Sequence, residues 1–271
     1  MSNTNQHLYH LFRDSTDKNV VRDAINELVK SDPKIYLYER AMFHSDEKSF
    51  DLALNDLNAL IEVDLIEGLS GRALFLLVHG SREAALADYE LVIDFLQKQL
   101  VNAQGPERRD IERKLGAIFF HRGYYFSEIN EISLANHDFK RATYLDPSWR
   151  YIYVDFCEKN SLEKDYEECL NLMINLKDRI ALIRRAKLFE KQSNYASAEN
   201  DYNMAVSSFP RVGLKDAYSP KAWALLCRSH FYRRQGRLVK AARDNFYSNL
   251  HVVLQIPLSN ECWSFYKSHL V

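Results

Sequence analysis

His7 and His10 stand three residues apart near the start of the chain, a spacing at which one helical face presents two metal ligands. No third ligand lies beside them, so no metal centre is expected. His137 and Asp138 form a doublet of the kind that metal-dependent phosphohydrolases use. Asp138, however, belongs to a recurring Arg and Asp pattern described below, which gives it a structural use. Glu167-Glu168 and Asp46-Glu47 fall where turns are expected and read as solvated carboxylates. The cysteines Cys157, Cys169, Cys227 and Cys262 lie far apart, with no C-x-x-C and no histidine at zinc spacing from them. They read as reduced, mostly buried thiols, which points to a cytoplasmic compartment. The chain has no G-x-x-x-x-G-K-S/T or G-x-G-x-x-G loop for nucleotides, no G-x-S-x-G elbow and no H-E-x-x-H zinc helix. No cofactor, metal or catalysis is therefore expected; an enzyme whose helical active site is assembled from distant residues is the alternative.

Charge says more about partners. Across 271 residues, 36 basic and 37 acidic side chains nearly cancel, which excludes a globally polyanion-seeking protein. Locally they do not cancel. From Arg211 to Arg243 stand nine basic residues (Arg211, Lys215, Lys221, Arg228, Arg233, Arg234, Arg237, Lys240, Arg243) against one acidic, Asp216. That is a net +8; since the whole chain carries -1, the remainder carries -9. The structural reading of this charge is a solvated, solubilising helix pair; the functional one is a protein or peptide partner with an acidic portion. Nucleic acid, read by Arg233, Arg234 and Arg237, is the alternative, although Tyr232 beside them fits the core pattern and is not free to stack on a base. The N-terminus has no basic start leading into an apolar run, and no segment approaches about 18 uninterrupted apolar residues. A soluble monomer with neither a cleaved signal nor a membrane span is expected.

These residues need elements to position them, and the clearest are in 178–210. Leu182, Ala186 and Phe189 fall at i, i+4 and i+7 of one helix, and Ala198, Tyr202 and Ala205 make the matching stripe on a second, closed by Pro210. Small residues let the two backbones approach. The order of small residue, aromatic, Ala, aromatic, Ala and Pro resembles the tetratricopeptide repeat, a helix-turn-helix unit of about 34 residues. Weaker copies recur, among them Ala41 to Leu60, Ala73 to Val92, and Gly123 to Pro147. The resemblance implies an all-α fold, a right-handed α-solenoid of about seven antiparallel helix pairs with a C-terminal capping helix, in a single superhelical domain spanning 1–271. A divergent unit at 2–33, inserted turns at about 95–115, a loop at 211–220 and a capping helix at about 259–269 complete this expectation. It also implies a non-enzymatic scaffold that binds other proteins.

One regularity goes beyond the apolar pattern. Arg40, Arg72, Arg122, Arg185 and Arg228 each precede the small residue of a first helix, and Asp56, Asp88, Asp138, Asp201 and Asp244 follow them by 16 residues. Two units lose both partners together, with Leu8 and Ala24 in one and Phe156 and Leu172 in the other. That covariation predicts an Arg-carboxylate contact within each hairpin; contact with the next repeat is the alternative.

In the family, first helices line a concave groove, and helical periodicity selects the stripe that faces it. Its first half is apolar, with Tyr38, Met42, Leu74, Phe120 and Tyr124 as candidate partner-binding residues. Its last half is cationic, with Lys187, Lys191, His230, Arg233 and Arg234. If the inserted turns rotate their helix, Phe120 and Tyr124 belong instead to the core. Family members that bind chaperone C-termini clamp a carboxylate with Lys and Asn, but Tyr38 and Met42 stand where the first of these are expected. The predicted ligand is an extended or helical segment whose apolar part meets the first half and whose acidic end meets the second.

Overall fold

The computed structural model describes residues 3–208 and 220–253, and among these there is no strand. Two compact units divide after Trp149. The first holds α1 (Asn3–Asp14), α2 (Lys18–Ser31), α3 (Pro33–Asp46), α4 (Phe50–Val63), α5 (Leu65–His79), α6 (Arg82–Asn102), α7 (Gly105–Glu128), α8 (Ile132–Leu145) and a single 3-10 turn (Pro147–Trp149). The second holds α9 (Arg150–Lys159), α10 (Glu163–Asn175), α11 (Arg179–Lys191), α12 (Tyr195–Ser208), α13 (Pro220–Arg234) and α14 (Leu238–Val253). Within each unit every helix packs on the next, so successive helical hairpins stack. The closing helix expected at 259–269 and most of the loop expected at 211–220 lie outside the described residues.

Local chemistry sets where the helices start and stop. Asp32, Asp64 and Asp178 stand before α3, α5 and α11 and accept from backbone amides of the first turn, at 3.3, 3.1 and 2.9 Å for the nearest bond of each. A carboxylate there satisfies amides that have no partner within the helix and offsets its positive end. Pro33 follows Asp32 at the first helical position, so it begins α3 as much as it ends α2. Within five hairpins the turn passes through one left-handed residue: Lys48, Asn130, Ser161, Ser193 and Gly236, with φ between 56° and 69°. The following amide then reaches back five residues, as Asn194 N–H does to the Phe189 carbonyl at 2.8 Å, closing the helix end.

The stripes are buried where the pattern placed them. Ala186, Ala198, Tyr202 and Ala205 are inaccessible, and Leu182 nearly so. Small residues sit where backbones nearly touch. A side chain at Gly68 would come within 2.4 Å of the Ile61 backbone nitrogen, and one at Gly123 within 3.1 Å of Asp138 Cβ. In the last described hairpin Ser229 fills the small position, and its hydroxyl donates to the Ala241 carbonyl at 2.8 Å. The longest helices are α6 and α7, at 21 and 24 residues. Their extra turns bury Leu96, Ile111 and Leu115, with Ala103 of the link between them, in a continuation of the same core.

Candidate functional site

In the first unit the apolar candidates sit at different depths. Tyr38 and Met42 on α3 are half-buried against the core, and a side chain at Gly71 would come within 2.9 Å of the Tyr38 ring. Burial first, then Glu67 and Glu39, pushes the Tyr38 phenol above its ordinary value. Leu74 is half-buried on α5. Phe120 lies flat on Trp149, with ring centroids 4.0 Å apart and planes 13° apart, so much of its surface is already covered. Tyr124, one turn further along α7, remains 55% exposed, and Val78 on α5 is 74% exposed.

In the second unit the cationic candidates converge. Lys187 and Lys191 are exposed on α11, and Arg233 is exposed on α13. Lys187 Nζ lies 5.8 Å from the centre of the Trp223 ring. The imidazole of His230 is held below its ordinary value by burial first, then by Arg233, Arg234 and Lys187, which places all three within electrostatic reach of it. Beside it, burial pushes the Cys227 thiol up to about 11. Lys187 and Lys191 also line a shallow cleft with Glu158, Glu163, Tyr166 and Arg184.

Several other cations are already neutralised. Arg234 is held by Glu190, with Nε to Oε2 at 3.0 Å and Nη2 to Oε1 at 2.9 Å. Glu199 accepts from Arg237 Nη2 at 2.9 Å and from the Tyr232 hydroxyl at 3.1 Å, and Lys240 lies 3.5 Å away. Two of the three guanidinium groups considered for nucleic acid are thus engaged with carboxylates. Arg211 and Lys215 lie outside the described residues. Among the described residues, Lys187, Lys191, Lys221 and Arg233 have no carboxylate partner.

The five Arg and Asp pairs all form inside their own hairpins. Each is bidentate: Arg40 meets Asp56 at 2.8 and 2.6 Å, and Arg228 meets Asp244 at 2.6 and 3.0 Å. Arg72, Arg122 and Arg185 repeat the geometry. The carboxylates are buried while each arginine keeps an open edge.

Neither a protein-family profile nor a curated protein sequence matches this chain. Solved structures do. The C-terminal part of a TPR repeat-containing protein from Cytophaga hutchinsonii matches at 16% identity, over 96% of this chain and 98% of that one, with a TM-score of 0.54. A tetratricopeptide repeat protein from Parabacteroides merdae matches at 16% identity over 93% and 99% of the two chains, with a TM-score of 0.40.

The fold is a tetratricopeptide-repeat α-solenoid. Within the tetratricopeptide-repeat fold, sequence reasoning missed one layer of the pairing. In four pairs the third guanidinium nitrogen, Nη1, reaches an asparagine on the preceding hairpin: Asn26, Asn58, Asn171 and Asn203. Each such arginine therefore ties three helices together. The signal was present, because three of these asparagines precede their arginine by 14 residues. Among the described residues no helix is long and apolar enough to cross a membrane.

Proposed function

We propose that this protein is a non-enzymatic interaction scaffold that takes an acidic segment of a partner protein on the α11 and α13 face of its second unit. One observation carries the reading. Lys187, Lys191 and Arg233 are exposed without carboxylate partners among the described residues, and Lys187 and Arg233 lie within electrostatic reach of His230 and disfavour its protonation, while neighbouring cations are internally paired. Uncompensated like charges repel, and an anionic segment relieves that repulsion while orienting the encounter. In the first unit Val78 and Tyr124 offer exposed apolar contact on first helices, and Tyr38, Met42 and Leu74 are half-buried. The buried thiols Cys157 and Cys169 fit a reducing, cytoplasmic setting.

The test is a calorimetric titration with an octaglutamate peptide and, separately, with single-stranded DNA of the same charge, at low and near-physiological salt. The peptide is expected to bind the wild type and to lose affinity in Lys187→Glu/Arg233→Glu. Tighter binding of DNA, or unchanged peptide affinity after the double reversal, overturns the reading.

A further inference from the structure

We propose that Glu190 is a built-in competitor for the acidic segment, occupying Arg234 until a partner carboxylate displaces it; this rests on the acidic-partner reading above. Glu190 sits in the last turn of α11, where the carbonyl end of the helix disfavours negative charge. Two groups hold it there nonetheless. Arg234 donates from Nε at 3.0 Å and from Nη2 at 2.9 and 2.8 Å, and the buried Tyr202 hydroxyl donates to Oε1 at 2.6 Å. Burial, followed by that hydrogen bond, drives the Tyr202 phenol far above its ordinary value, so it stays a donor at any working pH.

The two ends of the contact differ in exposure. The Glu190 side chain is 12% accessible, whereas that of Arg234 is 55% accessible. Arg234 Nη1 has no acceptor among the described residues, so an incoming carboxylate meets a free donor before the internal pair has opened. Exchange then passes the guanidinium from one carboxylate to the other, and Tyr202 keeps Glu190 hydrogen-bonded throughout. Cys227 lies within electrostatic range of Lys187, Arg234 and Glu190 together, so the competitor stands among the cations it masks.

Octaglutamate is the probe, titrated into the wild type, Glu190→Gln and Glu190→Gln/Arg234→Gln. Gln keeps the side-chain volume and an acceptor for Tyr202 but removes the charge. Glu190→Gln is expected to tighten binding by about threefold, the scale of one partly exposed ion pair, and to steepen its salt dependence. Adding Arg234→Gln should abolish the gain. Should Glu190→Gln fail to fold, as judged by its melting curve, Glu190→Asp serves. One methylene shorter, it cannot span Arg234 and Tyr202 at once, and a smaller gain is expected. If the wild type binds the peptide and these variants bind it no better, Glu190 is purely structural and the competitor is overturned while the acidic-partner reading stands. If no form binds, both are overturned.

Discussion

Arg185 and Asp201, 16 residues apart, meet in two parallel hydrogen bonds, Nε to Oδ2 at 2.7 Å and Nη2 to Oδ1 at 2.8 Å. The carboxylate is buried and the guanidinium keeps one-fifth of its side-chain exposure. Removing either partner strands the other charge in a poorly solvated place. Arg185→Ala is expected to cost about 2 to 4 kcal/mol, below the full penalty of a wholly buried pair because the arginine is partly solvated. Asp201→Ala should cost a similar amount, and the double variant much less than the sum. Urea unfolding of the four-member cycle measures this; additive losses would show that the two side chains do not interact.

Asn58 accepts from Arg72 Nη1 at 2.7 Å across a hairpin junction. Asn58→Ala is expected to cost about 1 kcal/mol, the net value of one partly exposed hydrogen bond to a charged group. Hydrogen exchange should show the added opening at α4 and α5 together, since the bond joins two hairpins. Exchange changes confined to α4 would mean that it carries no coupling.

What the sequence made legible was whatever recurs at a fixed distance. Ala186, Tyr202 and the Arg185-Asp201 offset repeat with the hairpin, so several copies in one chain expose them. Contacts between hairpins follow the same rule only where the linker has constant length. Arg185 reaches Asn171 at 14 residues, but Arg228 reaches Asn203 at 25, because the chain between α12 and α13 is longer. The Glu190-Arg234 pair spans 44 residues and has no copy at that offset among the described residues, so no recurrence could reveal it. Phe120 fitted the partner-facing stripe by periodicity, yet its ring is covered by Trp149, a residue of the 3-10 turn beyond α8 whose position no helical pattern could supply. Net charge was readable as a sum, whereas its cancellation by Glu190 and Glu199 depends on packing.

Ser193 turns the chain between α11 and α12 with φ at 58°, a region where a side chain is strained and glycine is not. Ser193→Gly is expected to stabilise the protein by about 0.5 to 1 kcal/mol, because relief of strain exceeds the added freedom of the unfolded chain. Gly236 turns the last described hairpin at φ 69°, and Gly236→Ala should destabilise by about 1 kcal/mol although nothing lies within 4 Å of the added methyl. Thermal melting of both variants checks the pair of signs. A gain from Gly236→Ala would contradict the backbone account.

Burial holds the His121 imidazole below its ordinary value of 6.5. A histidine depressed in the fold binds its proton more readily when unfolded. Its contribution to stability is therefore complete above pH 6.5 and is lost as the pH falls from there toward the depressed folded value. His44, held down chiefly by burial against the opposing pull of Asp56, acts in the same direction. The melting temperature should fall as the pH drops below about 6.5, and His121→Gln should flatten the slope. A slope unchanged by that substitution would place the acid sensitivity elsewhere.

Lys187 and Arg233 flank His230 from two helices, and neither has a carboxylate partner among the described residues. Charges at the rim of a site act mainly on encounter, because they are felt over a distance of about a Debye length before contact forms. Apolar contacts form last and are lost first on separation, so they govern dissociation. Lys187→Glu/Arg233→Glu is therefore expected to slow association with an acidic peptide by at least about tenfold at low salt and to flatten its salt dependence. His230 supplies an internal reporter: a bound carboxylate favours the imidazolium, so its NMR titration should move up on binding, toward 6.5 or beyond. Stopped-flow rates and the histidine titration are independent measurements. An association rate indifferent to both reversals, together with a His230 titration that ignores the peptide, would mark this face as a solvated surface.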